Sequence, residues 1–554
     1  MVKLIRNTFK ILNRREANIL SAASVIMTAV AFSRVLGLAR DRLLAARFAP
    51  GELGIYYAAF RLPNMIFELL VMGALSSAFI PVFTYYLDTK GKEKANSLAS
   101  SVINIGTVLF IIFSIPLFIF TRQLSILLAP GFSQNEIELM VEFTRIMIIA
   151  QVFPLLIGNF LTGILQSVRN FLVPALAPIV YNLGIISGII IFTPLVGLYA
   201  PVIGVVIGAV LFTLIQIPPV LSFGYQHKAA FSLYSSGVRQ VGKLMLPRTL
   251  GLAVSQIDTT IDLALSSLLG ASQVTVFNFA QHLQQLPVGL FGASIAQATL
   301  PSLSSSYAKK DLQLFKKIFL SSFNQIVFLV VPLSAMLIVL RIPVVRLVFG
   351  ASTLFDWEST VTTGKTVAYF AVSLFAQSLV HLLVRGFYAL QNTKIPLIAG
   401  AIAVVTNTVL SLIFILILHL PVWSLGLSAS IGSIVNMLLL IVKLYKKIGK
   451  FSFHEMFLPS FKIFLAASVS AIALYIPIKL LDKLVFDTTR TINLLFLTGI
   501  SMSMGFAVYL FFAWFMDVKE ISVLYKLLTK LAKPKTPVPI DTAPELTNIS
   551  DNTP

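Results

Sequence analysis

The sequence predicts an all-α membrane protein of about fourteen transmembrane helices, built as two pseudo-symmetric six-helix lobes followed by two C-terminal helices. Three observations predict it. The 554 residues are 57% hydrophobic and 12% charged, with a mean hydropathy of +0.90. A soluble domain carries roughly twice that charged fraction. Apolar runs of span length follow one another along the chain, and the first six are echoed by the next six.

The runs, in order, are Ala17–Leu38, Tyr57–Leu87, Leu98–Phe120, Met140–Gln166, Phe171–Phe192, Val196–Phe223, Lys243–Leu269, Val274–Leu303, Phe315–Leu340, Val367–Leu390, Ile395–Leu418, Val422–Leu444, Pro459–Leu480 and Ile492–Met516. Each meets the length of about 20 residues that a helix needs to cross the hydrocarbon layer. Residues 1–16 are a basic, partly amphipathic cytoplasmic lead-in. Residues 17–224 form the first lobe, 238–447 the second and 459–517 the extra pair. The Pro- and Thr-rich stretch 534–554 lacks apolar periodicity and reads as a disordered cytoplasmic tail.

The repeat is visible in GILQSVRNFLVPALAPIVYN (Gly163–Asn182) and FYALQNTKIPLIAGAIAVVTN (Phe387–Asn407). The interval from Gln166 to Gln391, from Arg169 to Lys394 and from Asn182 to Asn407 is 225 residues in each case. Ser33 to Pro63 echoes Ser255 to Pro287 at intervals of 222 and 224. An even number of spans per unit makes the repeat parallel, with a substrate site between the lobes near mid-membrane.

Charge sets the orientation. The net charge of +20 sits mainly in alternate short loops, at Lys90, Lys92 and Lys94, at Lys309, Lys310, Lys316 and Lys317, and at Lys443, Lys446, Lys447 and Lys450. The C-terminal end adds Lys519, Lys526, Lys530 and Lys533. Opposite loops are poorer, holding Arg122, Arg341, Arg346, Lys483 and Arg490. By the positive-inside rule both termini are cytoplasmic. The cluster Arg40, Arg42 and Arg47 after the first span is the exception. No aromatic-and-basic nucleic-acid module accompanies this charge. Cysteine is absent and the five His residues are scattered. With no GxxxxGK[ST] loop and no nucleophile–base set, the chain is expected to be neither an ATPase nor another enzyme. Transport must draw on an ion gradient, the membrane potential or the substrate's own gradient.

Charged residues inside spans are costly and mark function. The first span carries SRVLGLARD, with Ser33, Arg34, Gly37, Arg40 and Asp41. Arg34 and Asp41, seven apart, share a helix face. Arginine suits phosphate because its planar fork donates in pairs. The alternative is that Arg40, Arg42 and Arg47 snorkel to the interface. In the second span, Arg61 lies in FRLPN, where Pro63 breaks the helix. It either meets substrate, caps freed carbonyls or pairs with Glu68. The seventh span carries Gln256, Asp258 and Asp262, with both carboxylates on one face. Asn407 and Ser411 offer oxygen ligands from the eleventh. Together they describe a cation or proton site, or a helix-packing network. His282 in the eighth span is either a packing group or a proton relay.

SRVLGLARD, FRLPN, APGF (Ala129–Phe132), PALAP (Pro174–Pro178), LPSLS (Leu300–Ser304) and GFYALQNTKIP (Gly386–Pro396) resemble, in order and spacing, the MurJ (MviN) family of lipid II flippases. That family belongs to the multidrug/oligosaccharidyl-lipid/polysaccharide exporter superfamily, with fourteen spans in two lobes and a final pair that grooves a lipid tail. The resemblance implies a bacterial cytoplasmic-membrane protein, monomeric, that flips undecaprenyl-pyrophosphate-linked disaccharide-pentapeptide to the outer leaflet by alternating access. Rival readings are a flippase for another lipid-linked oligosaccharide and a cation-coupled drug exporter. The resemblance matches Arg34, Arg40 and Asp41 to the family's first-span functional group, and with Ser33, Arg61 and His282 they make up the expected substrate site. It also implies that Asp262, Asn407 and Ser411 hold sodium, the one cofactor expected. The sequence departs from the family at Gly54 and Met72, where acids are usual, at Phe67 and His282, where arginines are usual, and at Ser411, where a sodium-site carboxylate is usual.

Overall fold

The computed structural model describes residues 19–72, 78–350, 352–449, 453–484 and 491–522. The lead-in over 1–16, the tail over 534–554, and Lys450, Arg490, Lys526, Lys530 and Lys533 lie outside these. Every regular element among the described residues is helical. The first lobe comprises α1 (Ile19–Arg47), α2 (Pro50–Ala59), α3 (Arg61–Phe67), α4 (Ile80–Lys90), α5 (Lys92–Ile119), α6 (Thr121–Leu128), α7 (Gln134–Ala150), α8 (Val152–Ser167), α9 (Leu172–Val196), α10 (Tyr199–Leu214) and α11 (Ile217–Ser222). The second comprises α12 (Ser236–Leu268), α13 (Ala271–Pro287), α14 (Ser294–Ala308), α15 (Leu312–Val339), α16 (Arg341–Phe349), α17 (Trp357–Ala371), α18 (Leu374–Ala389), α19 (Lys394–Leu412) and α20 (Trp423–Ile448). The last pair is α21 (Phe453–Leu484) and α22 (Thr491–Phe515).

Among the described residues, ten helical segments are long and apolar enough to cross a membrane, and the pair α17–α18, bent by 45°, makes an eleventh. The three other predicted spans correspond to α1, α2–α4 and α12. These hold Arg34, Arg40 and Asp41, then Arg61 and Glu68, then Asp258 and Asp262. The charged functional candidates named from the sequence thus fall in these three spans.

The second and eighth predicted spans share an irregularity. After Leu62-Pro63 the helix widens into a π segment over Glu68–Met72, and after Leu286-Pro287 into one over Val288–Ala293. Proline removes a backbone donor, and a π segment is how a helix absorbs the misfit. The turns at α8–α9 and α18–α19 also match. Arg169 and Gln391 both adopt a positive φ, 62° and 55°. Asn170 N–H bonds the Leu165 carbonyl, as Asn392 N–H bonds that of Phe387. Each Asn side chain then caps the helix that follows, at Val173 and Ile395. The turn equivalence is therefore Arg169 with Gln391, an interval of 222. The 225-residue interval read from Gln166 and Gln391 is displaced by three residues, one helical turn, because similar apolar stretches align in more than one register.

Among the described residues three large cores hold the molecule, with two small clusters beside them. One fills the first lobe around Phe79, Phe83 and Phe160. A second fills the other lobe around Phe319 and Phe387 and takes in Tyr509 of α22, whose hydroxyl donates to the Phe328 carbonyl at 2.8 Å. A third joins the lobes around Tyr56, Phe143, Phe279 and Phe349. There the Phe279 and Phe349 rings stack at 3.9 Å.

Candidate functional site

The first-span candidates converge on Asp41, which is 2% exposed. Arg40 grips its Oδ1 through Nε at 3.0 Å and Nη2 at 2.8 Å. His282, from α13 of the other lobe, reaches Oδ2 through Nδ1 at 2.8 Å. Because a carboxylate only accepts, that contact places a proton on Nδ1. The third Arg40 nitrogen donates to Oδ1 of Asn182 on α9 at 3.4 Å, and Asn182 in turn donates to Ser33 at 3.3 Å. Ser33, Arg40, Asp41, Asn182 and His282 therefore form one polar network through both lobes. Burying such charges is tolerable because each is paired and hydrogen-bonded. Three Arg40 donors are engaged, which leaves two for a ligand.

Arg34 does not join this network. It is exposed, and it does not pair with Asp41 even though seven residues place both on one face of α1. Asp41 takes the adjacent guanidinium instead. Arg34 has no hydrogen bond or ion pair among the described residues, so it is a cation open to an anionic ligand. Arg42 is not snorkelling, for it donates to the Leu347 carbonyl of the other lobe.

Arg61 also crosses the lobes. Its Nε donates to Thr260 Oγ1 at 2.9 Å and its Nη2 to the Gln256 carbonyl, both on α12. It caps a carbonyl, as Pro63 suggested, but one of α12 rather than its own helix. No ion pair joins it to Glu68 among the described residues.

The second cluster lies between α12 and α19. The Asn407 amide donates to Asp258 at 2.9 Å and to Asp262 at 3.4 Å, and Asp262 is 4% exposed. Ser411 donates to Asn407 Oδ1 at 3.4 Å and shares a hydrogen bond with Ser428 at 2.6 Å. Two carboxylates that share one amide are short of positive charge. Turning the Asn407 amide over would add its oxygen to theirs, so the donor set fits a hard monovalent cation. Among the described residues no three His, Cys, Asp or Glu side chains gather as a transition-metal site.

The two clusters are related by the repeat. Arg40 and Asp262 stand 222 residues apart, the interval of the turn. Each meets an asparagine, Asn182 or Asn407, and these two stand 225 residues apart, one helical turn out of that register. One lobe thus presents a cation at this position and the other an anion.

The lobes touch at the end where α1 finishes. Gly54 on α2 faces Ala271, where an added Cβ would lie 1.9 Å from the carbonyl oxygen. Gly131, in the APGF stretch, faces Ser267, where a Cβ would lie 2.1 Å from the carbonyl oxygen. Thr275 donates to the Pro50 carbonyl at 2.6 Å and Ser352 to that of Ala45 at 3.2 Å. Gly54 is thus more than a position without the usual acid: it permits a backbone-to-backbone approach. Phe67 packs on the first-lobe core. The Met72 side chain is outside the described residues.

The profile of the family described as lipid II flippase MurJ matches residues 48–496. The chain belongs to that family. It is 26% identical over 474 residues to the probable lipid II flippase MurJ of Buchnera aphidicola subsp. Baizongia pistaciae, covering 83% of this chain and 90% of that one. It is 27% identical over 444 residues to the lipid II flippase MurJ of Burkholderia cenocepacia, covering 78% and 84%. Its fold is similar to a solved lipid II flippase MurJ in an inward closed conformation, with a TM-score of 0.73 at 24% identity, over 91% of this chain and 99% of that one. An inward-facing multidrug resistance transporter of the MATE family shares the fold at a TM-score of 0.65 and 16% identity, over 75% and 94%. Membership makes the chain a multi-pass protein of the bacterial inner membrane whose substrate is lipid-linked.

Sequence reading missed Asn182 as a site residue, along with Thr260. It also passed over Arg145, a charge in the fourth span whose guanidinium lies 5.1 Å from the centre of the Phe118 ring. Its position inside an apolar run was the available signal.

Proposed function

We propose that the protein flips lipid II, undecaprenyl-pyrophosphate-linked disaccharide-pentapeptide, from the cytoplasmic to the outer leaflet by alternating access, as a monomer with both termini cytoplasmic. Family membership supports the substrate. The observation that carries the site reading is the Arg40–Asp41 pair in α1, anchored by Asn182 and His282 and adjoining the open cation Arg34. Asp41 and Asn182 hold the guanidinium in place, and its remaining donors suit pyrophosphate oxygens. The network's passage between lobes gives the headgroup a means to alter their contact. The backbone-close contacts of Gly54 with Ala271 and Gly131 with Ser267 give the rocking motion a seam that can close and part. The chain carries out transport, with no catalytic step. The test is rescue of a bacterial strain depleted of its lipid II flippase. Growth with normal shape is expected, and failure to rescue at normal membrane abundance would overturn the reading.

The carboxylate pair would hold a sodium ion through Asp258, Asp262 and Asn407, with Ser411 orienting the amide. Bound there, the ion supplies the positive charge those carboxylates lack. Asp262→Asn should remove any sodium stimulation of transport, measured by varying sodium at fixed ionic strength. Undiminished stimulation in the variant would rule this site out.

A further inference from the structure

A cavity of about 700 Å³ opens at the lysine-rich end of the second lobe, between the close of α14, the turn into α15 and the turn after α18. That volume is in the range of small-ligand sites. Its polar lining is Ser304, Tyr307, Lys310, Tyr388 and Gln391, with no carboxylate. The acid beside it, Asp311, is turned to its own helix, where Oδ1 accepts the Leu314 N–H at 2.8 Å. Tyr307 and Tyr388 are 36% and 42% exposed. Open phenol rings beside a hydroxyl and an amide suit a polar chain that alternates donors and acceptors, such as a glycopeptide.

A guanidinium adjoins this cavity. Arg385 of α18 lies 5.8 Å from the centre of the Tyr388 ring and is half-buried. It makes no hydrogen bond and no ion pair among the described residues. An unpaired charge in a spanning helix is costly and marks function. Gln377, His381 and Arg385 follow at intervals of four residues and so share a face of α18. Gln377 donates to Gln284 Oε1 at 3.0 Å, on the same helix as His282. His381, the middle member, is exposed. Other faces of α18 are packed: Phe375 meets Phe464 of α21 edge-on at 5.2 Å, and Gly386 lies against Phe319 of α15 and Leu444 of α20. The stripe therefore runs from beside the His282 helix to the cavity. The rise from the level of His282 to Arg385 is roughly 15 Å along these helices. An extended pentapeptide spans about 17 Å.

We propose that Arg385 and this cavity form a second headgroup subsite, which takes a carboxylate of the pentapeptide while Arg40 takes the pyrophosphate. The proposal rests on the reading of the substrate as lipid II. The planar fork of Arg385 suits a carboxylate, and His381 offers a further N–H. The test is equilibrium binding to the full chain, in phosphatidylcholine nanodiscs, of lipid II and of the same lipid with its pentapeptide removed. The natural chain should hold lipid II about tenfold more tightly than the peptide-free lipid. Arg385→Gln should bring the two within about twofold by weakening lipid II alone, so that unchanged binding of the peptide-free lipid reports an intact fold. Arg40→Ala should weaken both. Equal binding of the two lipids by the natural chain would overturn the subsite. So would a preference unchanged in Arg385→Gln, which would make Arg385 an interfacial anchor. Phosphatidylglycerol displacing lipid II at equal concentration would show that an anionic headgroup alone suffices, and would overturn the peptide assignment. Binding of neither lipid by the natural chain would overturn the lipid II reading itself, and this subsite with it.

Discussion

Arg40→Ala is expected to abolish rescue of a flippase-depleted strain while the protein still inserts at normal abundance. The guanidinium makes two contacts to Asp41 and one to Asn182, and among the described residues it is the only arginine bonded to that buried carboxylate. Removing it deprives a headgroup phosphate of its charged donors, a loss of about 3 kcal/mol or roughly a hundredfold in binding. It also leaves Asp41 with the His282 imidazole alone of the two partners that hold its carboxylate oxygens. Arg40→Lys should recover little, because a point charge cannot hold Asp41 and Asn182 with a planar fork. Normal growth of the Arg40→Ala strain would remove this residue from the substrate site.

Gly54→Val is expected to be as damaging for a different reason. Even the first added carbon would meet the Ala271 carbonyl oxygen at 1.9 Å, and that atom is backbone, held by α13. The lobes must then stay apart at this end or distort, at a cost of roughly 1–3 kcal/mol or more. The natural chain has no cysteine, so an engineered pair at Ala45 and Ser352 reports the seam cleanly. That pair should cross-link readily in the otherwise natural chain and at least about fivefold less with Gly54→Val. Gly131→Val should act alike against Ser267. Cross-linking and rescue both unchanged in Gly54→Val would show that this approach is not part of the transport cycle.

Much of the architecture was legible because the bilayer imposes a simple length rule on apolar runs. The runs appear in order as helices or broken helical pairs, and the polar ones carry the site. Arg40 and Asp41 were legible for the same reason, since charge inside a span is conspicuous. What joins them was not. Asn182 reaches Arg40 across 142 residues, and nothing local to an asparagine in an apolar helix announces such a partner. His282 read as a lost arginine, yet its proton on Asp41 links the lobes. Gly54 read as a lost acid, although only backbone geometry shows what glycine permits there. Arg34 and Asp41 share a face, but periodicity says nothing of which neighbour a carboxylate prefers. The repeat was detected and its turn register misjudged by one helical turn, a shift that apolar sequence tolerates and capping asparagines do not.

The most direct measurement of the central claim is transbilayer movement of lipid II in vesicles that contain only this protein. Labelled lipid II placed in one leaflet should become accessible in the other at a rate that rises with protein content and falls to the protein-free background with Arg40→Ala. Movement at the background rate with the unmodified, correctly inserted chain would contradict the account.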